Sequence, residues 1–169
     1  GGGSGGGGPG CGNGLIEDGE ECDDANASPG DGCDDCKVEC GGGDELEDPV
    51  SHHCYHFVPD AETWDAARAA CQAWGGDLVA ITSAPELDFV HPLVDGDTYI
   101  GASDIKVEGV FTWVTGEPWS FANWEPGEPD NGDGNEDCVK MHSGLKWEDV
   151  DCASHNGALC ERAPPGKKP

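Results

Sequence analysis

Between Asn123 and Cys152 the chain reads NWEPGEPDNGDGNEDCVKMHSGLKWEDVDC. These thirty residues carry Glu125, Glu128, Asp130, Asp133, Glu136, Asp137, Glu148, Asp149 and Asp151, against Lys140 and Lys146 alone. Such a density of carboxylates cannot pack as a core, because unpaired buried charge is far too costly. Yet Trp124, Val139, Met141, Trp147, Cys138 and Cys152 run through the same stretch, so it is not a disordered acidic tail either. Hard oxygen donors on a folded loop are what calcium requires: six to eight of them at about 2.3–2.6 Å, several from carboxylates. The stretch predicts a calcium site on a loop pinned by disulfides.

The rest of the composition narrows the class. Of 169 residues, 35 are acidic and 8 basic, for a net charge of −27. Nucleic acid is excluded as a partner, since its phosphates demand basic patches, and so are anionic membrane surfaces. A solvated acidic surface is the bland reading of the same charge. Ten cysteines imply disulfides and an oxidising compartment, so a secreted or cell-surface-tethered protein is expected. No apolar run is long enough to span a bilayer, and no membrane insertion is expected. No signal peptide is visible, and the chain reads as a mature or trimmed form. Its Gly-rich start, residues 1–10, is a flexible tether, either a native spacer to a surface anchor or an added linker.

Residues 11–40 hold five cysteines with many Gly, Asp and Asn and little that is apolar, so this segment must be stapled to fold. Its CGNG…GEECDD…GDGC…C pattern resembles the myxobacterial-type cysteine-rich repeat of bacterial secreted and surface proteins. Cys33-x-x-Cys36 has no matching second pair, which weighs against zinc. Asp23, Asp24, Asn26 and Asp31 suit either a further calcium or, more simply, a solvated turn. Residues 41–49 read as a linker, 50–163 as a second domain and 164–169 as a tail. Within that domain Cys54-Tyr-His-Phe-Val reads as a strand, with His52, His53 and His56 as surface residues near it. Trp64, Ala67, Ala70, Cys71 and Trp74 recur at helical spacing, and Gly75-Gly76 ends that helix. Ser83-Ala-Pro-Glu86 is a capping box opening a short helix to His91. Strands are expected at 78–81, 99–102, 111–114, 137–141, 146–148 and 158–161.

Taken together, CYHF, WDAARAACQAWGGDLVAI, Tyr99-Ile-Gly-Ala102, GVFTWVTGEPWSFANW, GEPDNGDGNEDC, KWEDVDC and the closing CER resemble a C-type lectin-like domain over about residues 54–162. The resemblance implies an α+β fold with two helices, small antiparallel sheets and a long calcium-binding loop, after a small disulfide-rich N-terminal module. It pairs Cys71 with Cys160 and Cys138 with Cys152, and Cys40 with Cys54 at the amino-terminal hairpin. This leaves Cys11, Cys22, Cys33 and Cys36 to pair within the repeat. Carried over by position, the family's main calcium and sugar ligands fall on Glu128, Asp130, Glu136, Glu148 and Asp149, with a cis bond before Pro129. An auxiliary calcium would take Asp104, Glu108, Asn131, Glu136 and Asp137. One Ca²⁺ is therefore expected, and a second where the auxiliary set is filled.

One departure bears on function. Sugars in this family bind by hydroxyls that ligate calcium, two site carboxylates accepting their protons and two site amides donating to their oxygens. The family's triplets are E-P-N or Q-P-D with W-N-D; this chain has E-P-D with W-E-D, so both amides are replaced by carboxylates. Five carboxylates around one calcium leave about −3 of formal charge and no donor. Each unmade hydrogen bond costs on the order of 1–3 kcal/mol, against about 4 kcal/mol for a millimolar affinity. A turned-in Asn131 or Asn135, a protonated carboxylate or a bridging water would restore a donor. The resemblance implies an extracellular calcium-dependent carbohydrate-binding module for a glycan or glycosylated surface, with Trp119 and Trp124 as loop aromatics. The alternative is a calcium-ordered adhesion module for a protein ligand. An enzyme is not expected: clustered carboxylates serve glycoside hydrolysis, but these are taken as metal ligands.

Overall fold

The computed structural model describes residues 45–59 and 63–163, together with Gly12, Cys22, Asp23, Ala25, Cys33, Asp34, Lys37, Val38 and Cys40. Of the pairing expected within 11–40, Cys22 is bonded to Cys33. Cys11 and Cys36, along with Asp24, Asn26, Asp31 and the segments 1–10 and 164–169, lie outside the described residues. Strands β1 (Cys33–Asp34) and β2 (Lys37–Val38) pair antiparallel. Asp23 is nearly buried and its carboxylate accepts the backbone N–H groups of Gly12 and Ala25. That is a turn-holding use of aspartate. The first unit also contains β3 (Glu45–Glu47) and the expected Cys40–Cys54 bridge.

Residues Tyr55–Arg162 form a second compact unit. Helix α1 (Trp64–Trp74) starts where the Thr63 hydroxyl accepts the Ala66 N–H, and ends at Gly75 with φ 102°. That left-handed position favours glycine, which has no Cβ to clash. Trp64, Ala67 and Cys71 are its buried residues, and the Trp64 indole donates to the Ile100 carbonyl at 3.0 Å. Helix α2 (Ala84–Val90) is capped by Ser83, which accepts the Glu86 N–H, with Pro85 in the first turn. The Glu86 carboxylate reaches back one residue further than a standard capping box, to the N–H and hydroxyl of Thr82, and also accepts from the Tyr55 hydroxyl. A short 3₁₀ turn, His91–Leu93, follows.

The sheet orders β4 (Cys54–Val58), β10 (Gly157–Arg162), β6 (Thr98–Ser103), β8 (Cys138–Met141) and β9 (Trp147–Val150) side by side. Strand β5 (Asp77–Leu78) pairs with β10, and β7 (Thr112–Trp113) with β6. The expected all-antiparallel arrangement is corrected at one place: β10 runs parallel to β6, Ala158 opposite Tyr99. A parallel pair needs a long crossover, and the chain from β6 to β10 supplies one. The strand expected over 78–81 is shorter than expected. Val79 donates to the Leu159 carbonyl and accepts from Gly101, while the Ala80 N–H turns to the Glu161 carboxylate. Gly101 is required there, because a Cβ would lie 2.6 Å from the Leu78 carbonyl oxygen.

The disulfides brace both ends of this unit. Cys71 of α1 is bonded to Cys160 of β10, and Cys138 of β8 to Cys152 just past β9. The main core gathers Tyr55, Val79, Ile81, Ile100, Trp113, Val139, Met141, Trp147 and Leu159. Trp119 and Trp124, expected as loop aromatics, lie outside the named strands, are half-buried and also pack against this core. Their rings lie 4.8 Å from Trp113 and 4.9 Å from Phe111, respectively, and both neighbour Trp147. Aromatic side chains bury large areas, and the loop residues Trp119 and Trp124 cover the strand residues Trp113 and Trp147. His56 is half-buried, its ring tilted against that of Trp74 at 5.4 Å. Among the described residues no helix is long and apolar enough to cross a membrane.

Candidate metal centre

Strand β9 presents the central carboxylate. Side chains alternate along a strand, and here Trp147 is fully buried, Glu148 half-buried and Asp149 only 4% exposed. The Asp149 Oδ1 accepts the N–H of Asp130 at 3.0 Å, and its Oδ2 accepts that of Asn131 at 2.9 Å. Both oxygens of one carboxylate thereby tie the loop to β9. The Glu128–Pro129 peptide is cis. Oxygens of Glu128, Asp130 and Asp149 lie within 4.8 Å of one another. Glu136 is outside that group of three; its Oε2 accepts the Gly132 N–H at 2.5 Å and its own N–H donates to the Asn131 Oδ1.

So many like charges are strained without a cation. Burial first, then the Asp149 hydrogen bond and the charges of Asp130, Asp149 and Glu148, push the Glu128 carboxyl from 4.5 up to about 7. Glu136 is also raised, by burial and then by the charges of Asp149 and Asp130, against the lowering Gly132 N–H. Crowded carboxylates at a loop, two of them with raised pKa values, are a donor set that fits a hard divalent cation. Asn135, one candidate replacement donor, gives one amide N–H to the Asp151 carboxylate at 3.0 Å.

Glu148 sits differently from the other four. Its Oε1 contacts the Lys140 ammonium at 2.6 Å and its Oε2 the His142 Nε2 at 3.0 Å. Asp97 closes the circuit, with Oδ2 on Lys140 at 2.6 Å and Oδ1 on the His142 Nδ1 at 3.0 Å. The result is a ring of four side chains in which two carboxylates alternate with an ammonium and an imidazole. The Asp97 hydrogen bond, set against partial burial and joined by Glu148, raises the His142 pKa. Register puts the ring together, since Lys140 stands opposite Glu148 across β8 and β9.

The auxiliary set is less gathered. Asp104 is 2% exposed; its Oδ2 accepts the Gly109 N–H at 2.7 Å, and its N–H donates to the Asp137 carbonyl. Its Oδ1 is buried with no hydrogen-bond partner. Glu108 is exposed. Among the described residues, ligand atoms close in groups of three only at Glu128, Asp130 and Asp149 and at Cys40, Glu45 and Cys54. The second group is excluded from metal binding, because its two cysteines form a disulfide.

A pH dependence follows for chelator-stripped protein. A carboxyl raised from 4.5 to about 7 on folding stabilises the fold fully below about pH 4.5, and that contribution is lost as pH rises through about 7. Melting temperatures of stripped protein should therefore fall between about pH 5 and 8, while the gain on adding calcium grows as proton competition fades. A calcium gain independent of pH over that range would contradict the assignment.

Comparison with known proteins places these features. The family model for the lectin C-type domain matches residues 60–162, and that for a domain of unknown function (DUF4215) matches residues 8–37. The low affinity immunoglobulin epsilon Fc receptor of Mus musculus is 41% identical over 111 residues, which is 64% of this chain and 34% of the receptor. The chain thus spans about a third of that relative's length. Among solved structures, the cow carbohydrate-recognition domain of CD23, crystallised with a GlcNAc2Man3 oligosaccharide, aligns with TM-score 0.69 and 35% identity over 74% of this chain and 96% of that one. A calcium-independent type II antifreeze protein aligns almost equally well, with TM-score 0.68 and 28% identity over 75% of this chain and 95% of that one.

Proposed function

The chain belongs to the lectin C-type domain family, and from that premise we propose that it is an extracellular calcium-dependent carbohydrate-binding module. Its relatives are receptors and binding proteins, not enzymes, and this domain is of the same kind. Calcium would be held by Glu128, Asp130, Glu136 and Asp149, and when bound it would supply coordination positions for vicinal sugar hydroxyls. The observation that carries this reading is the convergence of the Glu128, Asp130 and Asp149 oxygens within 4.8 Å. Asp149 ties the loop to β9 through the Asp130 and Asn131 N–H groups, which brings Glu128 and Asp130 to it. The buried, unpartnered Asp104 Oδ1 supports a second, auxiliary ion beside Asp137.

A calcium-ordered adhesion module for a protein ligand is the second reading. It is favoured by the loss of both amide donors and by the near-equal likeness to a calcium-independent antifreeze protein. A glycan array read with calcium and again with EDTA separates the two. A lectin retains sugars only with calcium; binding that survives EDTA, or an array blank with calcium present, overturns the carbohydrate reading.

A further inference from the structure

A cavity of about 240 Å³ lies between α1, the end of β6 and β7, and it shares no residue with the carboxylate cluster. Its apolar lining comes from Trp64, Trp113 and Val114, with Ile105 added from the loop that follows β6. Trp64 and Trp113 are each 3% exposed, so neither offers a ring face on which a sugar could stack. The volume lies below the roughly 300–1,000 Å³ of pockets that take whole small molecules. It suits a single anchoring side chain, the way protein interfaces use such recesses.

The loop beside the cavity is apolar and preformed. Among the described residues the exposed large apolar side chains are Val50, Ile105, Val107 and Val110, the last three 54%, 59% and 54% exposed. Single exposed apolar residues are ordinary, whereas a group of them in one loop marks a contact surface. Asp104 holds this loop: its Oδ2 accepts the Gly109 N–H at 2.7 Å and its carbonyl the Val107 N–H at 2.9 Å. The Val107 carbonyl in turn accepts the Val110 N–H at 2.9 Å. A loop already ordered loses little entropy on binding.

Charge selects the partner's chemistry. In a chain of 35 acidic and 8 basic residues, the cavity brings Arg68 and Lys106 together against Asp65 alone. Arg68 lies 5.9 Å from the Trp64 ring centroid and donates to Asp77 at 2.9 and 3.0 Å. Those bonds use two of its five N–H donors and fix its direction. Lys106 is exposed, and no partner engages it among the described residues.

We propose that this cavity and loop form a second recognition site, which docks a protein segment through one apolar anchor side chain with a carboxylate next to it. The anchor fills the cavity against Trp64, Trp113 and Val114, and the flanking residues of the segment lie over Ile105. The carboxylate meets Lys106 and the remaining N–H groups of Arg68. That carboxylate is a local feature of a partner not itself strongly acidic, because a chain of net charge −27 repels acidic proteins at a distance. The site stands independently of the calcium and sugar readings.

The test follows the backbone amide signals of the whole ¹⁵N-labelled, calcium-loaded chain during titration with short capped peptides. Each peptide carries one leucine, isoleucine or phenylalanine beside one glutamate in a glycine–serine frame. Saturable shifts of the amides at 64–68 and 103–114 are expected from at least one of them. Replacing its glutamate with glutamine should weaken binding about threefold, the worth of an exposed ion pair, and replacing its apolar residue with serine should abolish it. Lys106→Gln should weaken the glutamate peptide by the same factor and leave the glutamine peptide unaffected. Ile105→Asp removes an apolar wall and sets a like charge against the ligand, so a loss of at least about tenfold is expected. Both substituted residues are exposed, and melting curves establish that the variants are folded. No saturable shift at 64–68 and 103–114 with any peptide of the set overturns the proposal. So does unchanged affinity in Ile105→Asp. Shifts confined to 128–149 place the peptide carboxylate on the calcium loop and overturn it as well.

Discussion

Replacing Asp149 with alanine should weaken calcium binding by at least about 100-fold, as measured by calorimetric titration of chelator-stripped protein. The argument rests on two separate jobs of one carboxylate. It supplies oxygens to the cluster with Glu128 and Asp130, and it accepts the N–H groups of Asp130 and Asn131 at 3.0 and 2.9 Å. Hydrogen bonds to a charged group contribute about 1.5–3 kcal/mol each. Losing two of them frees the loop, so the remaining ligands must be ordered by the ion itself. About 1.4 kcal/mol corresponds to a factor of ten, which puts the loop contribution alone at 100-fold or more. Asp149→Asn preserves shape and should fall between the two, since an amide oxygen still accepts while the charge is gone. Equal calcium affinity in Asp149→Ala and wild type would mean that the ion binds elsewhere.

The second large effect is expected in the core beneath the site. Trp147→Ala should lower unfolding free energy by about 3–5 kcal/mol, as measured by denaturant titration of calcium-loaded protein. Trp147 is fully buried and meets Trp113, Phe121 and Trp124 edge-on at 5.8, 5.7 and 6.0 Å. Its backbone is equally committed: its N–H donates to the Asn123 carbonyl and its carbonyl accepts from Glu125. The residue therefore fixes the start of the loop that carries Glu128 and Asp130. Calcium affinity should fall along with stability, because Glu148 and Asp149 follow it directly on β9. Phenylalanine at this position retains part of the ring packing and should lose less of both. A Trp147→Ala protein with wild-type stability would show that the aromatic cluster is not what supports the loop.

Much of this architecture is legible in the residues. Helix α1 announces itself by apolar spacing and by the Thr63 and Gly75 caps, and α2 by Ser83, Pro85 and Glu86. The bridges Cys71–Cys160, Cys138–Cys152 and Cys40–Cys54 came from the family resemblance, since spacing alone does not choose partners. What is not legible depends on register. Asp97, Lys140, His142 and Glu148 are far apart in the sequence, and the β6–β8 pairing, with Thr98 opposite Met141, together with the β8–β9 pairing, with Lys140 opposite Glu148, brings them together. Sequence position assigns Glu148 to the ion, and the structure also sets the Lys140 ammonium and the His142 imidazole against the same carboxylate. Trp119 and Trp124 illustrate the same limit: a loop tryptophan suits a sugar face or a core equally, and contact with Phe111 and Trp113 is decided by the fold.

The central claim, that the carboxylates of Glu128, Asp130, Glu136 and Asp149 form a calcium site, is tested most directly by titrating calcium into chelator-stripped wild-type protein in a calorimeter, at about pH 7.5 and again at about pH 5.5. Saturable binding that weakens at the lower pH, as protons return to Glu128, is the predicted result. No binding heat at either pH would contradict it, and would leave these carboxylates as a solvated acidic face.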